Sequence, residues 1–181
     1  EILNASQVPW GRKEGGFMWA PDCAYKNDTY YFYFPHPSDT YTNNSWKIGV
    51  ATSKEPAANF TVQGYIAGMD PMIERCVFTD DDGQVYIYNG GGGICKGGKL
   101  KDNMMELDGK MKIMEGLDDF HEATWIHKYK GKYYLSYADN HEPNNNDGMK
   151  GYNCMRYAIS DNPLGPWKYM GVYMGPSDCF T

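Results

Sequence analysis

The sequence predicts an all-β fold: a β-propeller, of which this chain supplies about three four-stranded blades. Three observations carry that prediction. The 181 residues are rich in Tyr (16) and Gly (21), and 15% of them are aromatic. Aromatic side chains fit the pleated surface of a sheet better than a helical bundle. A hairpin pattern recurs three times, and a strand closing in Ser and Pro recurs beside it. Four strands repeating about every 50 residues mark a propeller blade.

The elements follow in order. The first hairpin joins Asp22-Cys23-Ala24-Tyr25 to Thr29–Phe34 through Lys26-Asn27-Asp28. The second joins Cys76-Val77-Phe78 to Gln84–Tyr88 through Asp80-Asp81-Asp82-Gly83. The third joins Glu122–His127 to Lys132–Tyr137 through Tyr129-Lys130-Gly131. Each sets β-formers around an Asp, Asn or Gly turn. Ile48–Pro56 matches Met155–Pro163 as a third strand ending in a Ser turn closed by Pro, with Gly97–Asn103 as a weaker middle copy. Phe60–Gly64 and Trp167–Gly171 read as short outer strands. Only Asp102–Glu115 has a helix-like composition, and Leu107-Asp108-Gly109 interrupts it.

The expected organisation is one partial propeller over 1–181. Residues 1–16 form the tail of a preceding blade. Blades cover 17–68, 69–119 and 120–174, and 175–181 leads into the next. Propellers close with roughly four to eight blades. The remaining blades, or another chain, are therefore expected to complete the ring. Glu1-Ile2-Leu3-Asn4 carries no signal-peptide pattern and no initiator Met, so an excised or mature piece is expected.

Composition also excludes partners. The formal charge of −6 makes a nucleic-acid surface an unfavourable reading, because phosphate contact needs clustered Lys and Arg. No apolar run approaches the ~20 residues of a membrane-spanning helix, so no membrane partner is expected. A neutral or cationic small partner fits better, and sugars belong to that class. The five cysteines are odd in number and lack a CxxC pair, which argues for buried free thiols over a disulfide framework or a zinc site.

The acidic residues that open the repeats attract a chemical reading. In a propeller the innermost strands line a central channel, so residues at their ends converge. Asp22, Asp70 and Glu122 are read as occupying comparable positions there. Convergent carboxylates can divide into one protonated acid and one ionised base, and glycoside hydrolysis uses such a pair. Trp19, Phe34, Trp46 and Trp125 are candidates to stack on a sugar ring, Trp19 foremost. His121 is placed beside Glu122, and Arg156 is a candidate to hold a sugar hydroxyl or a carboxylate. His121-Glu122 lacks a His at the fifth position, where Trp125 stands, so a zinc-protease site is excluded. Asn89–Gly93 reads as a loop letting a strand pass close to the channel, Asp80–Gly83 as a turn, and Asn140–Gly148 as a polar rim loop.

These motifs, taken together, resemble glycoside hydrolase family 43, the five-bladed propellers that include β-xylosidases and α-L-arabinofuranosidases. The matching residues are Trp19-Ala20-Pro21-Asp22, Ile48–Ser53, Asp70-Pro71 ahead of Val77-Phe78 and Asp80–Tyr86, Glu122-Ala123 ahead of Lys130–Leu135, and Ala158–Trp167. Members of that family invert the anomeric centre with three acids. The resemblance implies Glu122 as general acid and Asp70 as the Asp that tunes its pKa. It places the base Asp on a blade before Glu1. It leaves Trp19, Asp22, His121, Trp125 and Arg156 as substrate-binding candidates. No cofactor is expected for the chemistry, no metal ligand is assigned in this chain, and a structural calcium is possible in the complete propeller. Xylo- or arabino-oligosaccharides from plant hemicellulose are the implied substrates, and a secreted or periplasmic bacterial location follows from polymeric substrates. The related fructan and sucrose hydrolases fit less well, because Met69 precedes Asp70 and Ala123 follows Glu122. A non-catalytic carbohydrate-binding propeller that lost its base is the standing alternative.

Overall fold

The structure is a computed structural model, and it describes residues 2–12, 18–38, 46–72, 74–139 and 154–175. Twelve strands form three four-stranded antiparallel sheets among these residues. The first sheet holds β1 (Asp22–Lys26), β2 (Thr29–Pro37), β3 (Trp46–Ser53) and β4 (Thr61–Tyr65). The second holds β5 (Glu74–Thr79), β6 (Val85–Gly91), β7 (Ile94–Leu100) and β8 (Leu107–Ile113). The third holds β9 (Glu122–Tyr129), β10 (Lys132–Asp139), β11 (Cys154–Ser160) and β12 (Lys168–Met174). Each sheet is an up-and-down meander in sequence order, which is the construction of a propeller blade. The helix-like composition of Asp102–Glu115 yields a turn and then β8, because the strand pairs with β7 and helix propensity is a weak prior.

The sheets stack face to face. The first strands of the sheets are neighbours: β1 lies beside β5, and β5 beside β9. Strand side chains alternate between faces, so each inner face feeds one seam. Tyr33, Ile48 and Val50 meet Val85, Ile87 and Leu100 between the first and second sheets. Cys76, Tyr88 and Cys95 meet Ile126, Leu135 and Tyr137 between the second and third. Burying one such aliphatic side chain contributes roughly 1.5–3 kcal/mol.

The abundance of tyrosine has a structural use here. A buried phenol needs a partner for its hydroxyl. Tyr33 donates to the Met104 carbonyl at 3.0 Å, Tyr88 to that of Pro163 at 2.8 Å and Tyr137 to that of Asp118 at 2.6 Å. The first two of these bonds cross a seam. Ion pairs do the same at the hairpin turns. Lys26 reaches Asp102 at 2.7 Å, and Lys128 reaches Asp80 at 2.6 Å.

Among the described cysteines, Cys76, Cys95 and Cys154 are buried free thiols, and Cys23 is an exposed one. Cys179 and the Asn140–Gly148 loop lie outside the described residues. No helix of the described residues is long and apolar enough to cross a membrane.

Candidate functional site

Glu122 is the first residue of β9 and pairs with Ala138 on β10. The ladder slips between Ser136 and Ala138, so β9 carries a bulge there. Ala123 sits inside it at φ 58°, the left-handed region that costs a residue with a Cβ. Bulges re-aim the side chains that precede them and gather next to active sites. The bulge leaves Glu122 partly exposed, with 37% of its side chain accessible. His121 stands beside it, its Nε2 3.9 Å from the carboxylate. The His121 backbone is fixed on both sides: its N–H donates to the Ala138 carbonyl at 3.0 Å, and its carbonyl accepts from Gly93 N–H at 3.4 Å.

That second bond brings the glycine-rich turn of the second sheet against the third. Gly90 completes the approach. A Cβ there would collide with the Phe120 ring and lie 2.9 Å from Thr124 Oγ1. Gly90 and Gly93 thus allow a close approach, and the partner is the segment that opens β9.

The residue paired with Gly90 across β5 and β6 is Glu74. Reading the sequence did not single it out. Its carboxyl is pushed up, first by burial and then by the negative charge of Glu122, with Arg75 pulling the other way. Two carboxylates near each other disfavour double ionisation. A signal was present in the sequence: Glu74 and Glu122 each stand nine positions before the glycine of their hairpin turns, Gly83 and Gly131.

Asp70 is placed differently. Alternation along β5 sends Cys76 and Phe78 to the seam with the third sheet and Val77 to the seam with the first. Glu74 shares the parity of Cys76. Lys96 lies on the other face of β7, in register with Asn89 and through it with Arg75. Asp70 is bound to that other face: its carboxylate meets Lys96 Nζ at 2.6 Å, and its carbonyl accepts from Asn89 Nδ2 at 3.4 Å. It lines a groove of about 540 Å³ with Gly68, Glu106 and Lys110, beside the outermost strand. The structure therefore does not bring Asp70 onto the Glu122 side of the second sheet.

Asp22 opens β1, but it is not level with Glu74. Its Oδ2 accepts from Val77 N–H at 2.6 Å, three residues further along β5, and its Oδ1 accepts from Cys23 N–H at 2.8 Å. Burial raises its pKa, and the two N–H donors oppose that. It stitches two innermost strands together. The three acids read as equivalent thus occupy three different settings.

Trp19 is half-exposed and faces Trp46 with ring centroids 5.5 Å apart, which forms an aromatic platform at the opening of the first sheet. Phe34 is fully buried and packs on Phe32. Trp125 lies on the face of β9 opposite Thr124 and Ile126. It lines a separate groove of about 410 Å³ with His127, Tyr134, Tyr157 and Tyr173. Arg156 is fully buried. Its Nε is held by Asp139, its Nη1 by Asp118 at 3.3 Å and by the Tyr169 hydroxyl at 2.7 Å, and its Nη2 by Asp119 at 3.3 Å. Among the described residues no group of three or more His, Cys, Asp or Glu is placed to hold a metal ion.

Comparison with known proteins fits this geometry. The chain is 30% identical to a xylosidase/arabinosidase of Bacteroides ovatus, over 97% of this chain and 61% of that protein. It is 31% identical to a beta-xylosidase of Xylanibacter ruminicola, over 96% of this chain and 61% of the relative. It thus spans about three fifths of the length of these curated relatives. Among solved structures it superposes with a TM-score of 0.79 on CoXyl43, a β-xylosidase/α-arabinofuranosidase from a compost microbial metagenome crystallised with xylotriose in a calcium-free form. That pair is 30% identical over 97% of this chain and 61% of the other. The TM-score is 0.80, at 28% identity and over 97% and 60% of the two chains, with an enzyme from Xanthomonas citri crystallised with xylose. The family profile for glycosyl hydrolases family 43 matches residues 2–173. With three propeller blades and carboxylates gathered where two of them meet, the chain belongs to glycosyl hydrolases family 43.

Proposed function

We propose that this chain is part of an inverting glycosidase that removes terminal xylose or arabinose from hemicellulose, with Glu122 as its general acid. One observation carries the reading. Glu122 sits at a bulged strand opening, partly exposed, next to a second carboxylate on the neighbouring blade of a family 43 propeller. A protonated Glu122 donates to the glycosidic oxygen as the bond to the anomeric carbon breaks. A base carboxylate, which we place outside the described residues, takes a proton from water. That water attacks the opposite face of the sugar. The geometry needs acid and base about 6.5–9.5 Å apart with the water between them. The resemblance gives the tuning of this acid to Asp70, whose carboxylate is salt-bridged to Lys96 on the other face of the second sheet. The Trp19–Trp46 platform is the aromatic surface for a sugar ring. A structural calcium and a location outside the cytoplasm belong to the same reading. Its substrate class rests on solved relatives crystallised with xylotriose and with xylose.

The test uses the natural-length protein, xylobiose, and aryl β-D-xylosides and α-L-arabinofuranosides. Proton NMR identifies the first anomer released. The expected product is inverted. Glu122→Gln should lower turnover of xylobiose by about 10²–10⁴-fold, and less for an aryl leaving group that needs little protonation. Unchanged hydrolysis by that variant, or a retained anomer, would overturn the assignment. Sugar binding without hydrolysis would instead support the carbohydrate-binding alternative.

A further inference from the structure

We propose that Arg156 is a positioning residue for the general acid: it clamps the Asp118–Asp119 turn that leads into Glu122, and so fixes where that carboxyl stands. The inference rests on reading Glu122 as the general acid, and it adds what holds that acid in place.

Residues 114–121 link β8, the outermost strand of the second sheet, to the start of β9 in the third. The segment lies between the ladders, so single contacts set its course. Its beginning is anchored well away from the acid. Met114 N–H donates to the Cys95 carbonyl at 2.9 Å, and Trp167 N–H donates to the Glu115 carbonyl at 2.9 Å. Gly116, at φ 88°, runs so close to Trp167 that a Cβ would collide with its carbonyl. Its end is anchored to the acid's own neighbours. Phe120 is buried with its ring 5.3 Å from that of Tyr137. His121 N–H donates to the carbonyl of Ala138, the residue paired with Glu122.

Between these anchors lie Asp118 and Asp119, whose side chains are 58% and 42% accessible. Asp119 stands at φ 47°, a left-handed conformation that Asp adopts more readily than most residues. Water alone gives such a turn no single position. Tyr137 and Arg156 supply one. They face each other across β10 and β11, so their side chains share a face. The Tyr137 hydroxyl accepts from Asp118 N–H at 3.1 Å and donates to the Asp118 carbonyl at 2.6 Å. Arg156 spreads its two terminal nitrogens over the turn, Nη1 to the Asp118 carboxylate and Nη2 to that of Asp119, each at 3.3 Å. The guanidinium is itself immobilised. It is fully buried, its Nε is held by Asp139, and its Nη1 donates to the Tyr169 hydroxyl at 2.7 Å. Asp139 follows Ala138 on β10. The clamp thus ties the turn to the strand that pairs with Glu122. A planar fork reaches two carboxylates at once, which a lysine ammonium does less well. Only Phe120 and His121 separate Asp119 from Glu122, so a displaced turn displaces the acid. A general acid works within about 2.6–3.2 Å of the oxygen it protonates, and a misplacement of about 1 Å costs on the order of 10²-fold.

Arg156→Met disturbs the fold, so the test varies the turn. In the natural-length protein, Asp118→Ala combined with Asp119→Asn removes both charges and one acceptor, and Asn keeps the left-handed position tolerable. Both side chains are solvated, so the thermal midpoint should move little. On xylobiose, kcat at the plateau of the variant's own pH profile should fall about 10–10²-fold, with KM changed less. An aryl β-D-xyloside with a good leaving group should lose less, because it needs little protonation. Unchanged kcat on xylobiose would overturn the proposal, as would equal losses on the two substrates. A shifted pH limb with an unchanged plateau would overturn it too, since the two acids would then act by charge and not by position. A second measurement needs no turnover: hydrogen exchange of the His121 amide. It should quicken by about fivefold or more in the variant. Unaltered protection would show that the clamp does not hold the segment, which ends the proposal. Quickened exchange in a protein that hydrolyses no pentoside would support the clamp and would count against the glycosidase reading.

Discussion

Replacing Arg156 by Met separates two roles that one residue could hold. Arg156 was a candidate for substrate contact, yet its side chain is 0% accessible and its partners are all protein groups. The cost of losing it divides unevenly. Asp118 and Asp119 have side chains 58% and 42% accessible, so each stays solvated without the guanidinium and loses at most about 1 kcal/mol. Asp139 is 1% accessible, and loss of the guanidinium takes the closest cation from a buried carboxylate. Breaking such a buried pair costs about 3–5 kcal/mol. With a urea m-value of about 2 kcal/mol/M, the unfolding midpoint should fall by roughly 1.5–2.5 M. Asp139→Asn in the same molecule removes the stranded charge and should recover much of the loss. Urea unfolding of the two singles and the double, followed by tryptophan fluorescence, measures all three. A penalty under about 1 kcal/mol for Arg156→Met, or no recovery in the double variant, would refute the structural role. A raised KM with unchanged stability would point back to substrate contact.

Two further outcomes follow from the seams. Burial pushes the Asp80 pKa up, but Lys128, Tyr133 and the Asp81 N–H together bring it below the ordinary 3.8. A lowered folded-state pKa gives stability that is full above the unfolded value and lost as pH falls through the folded one. Asp80→Asn should therefore be less stable than the wild type at neutral pH, and the two should converge in acid-unfolding curves taken below about pH 3.8. A constant gap across that window would contradict the network. Gly90→Ala places a methyl against the Phe120 ring and Thr124, and overpacking of this kind costs about 1–3 kcal/mol. Because the strain falls on Phe120 and Thr124, which flank Glu122, kcat on xylobiose should drop while the thermal midpoint falls only modestly. Unaltered kinetics would mean that the seam does not set the site.

The blades were readable in the sequence because they are local. Each hairpin is written in adjacent residues, as in Thr79–Val85 around Asp80–Gly83, where period and turn chemistry agree. The place of Glu122 at the opening of β9 was readable for the same reason, standing at the start of such a run. What the sequence by itself determined is thus the three blades and their order. The tertiary structure alone decided which acids share a space. Asp22, Asp70 and Glu74 are each a plausible carboxylate near the start of a β-rich run, and composition ranks none above the others. Their destinations depend on strand parity, on a bulge at Ala123 and on partners far away in the chain. Lys96 claims Asp70 and Val77 N–H claims Asp22, while Gly90 opens the seam beside Glu74. Arg156 shows the same limit: nothing adjacent to it reveals that Asp118, Asp119, Asp139 and Tyr169 will surround it. Hydrogen bonds and charges act across space, and a single residue's shift in register reverses the face on which a side chain lies.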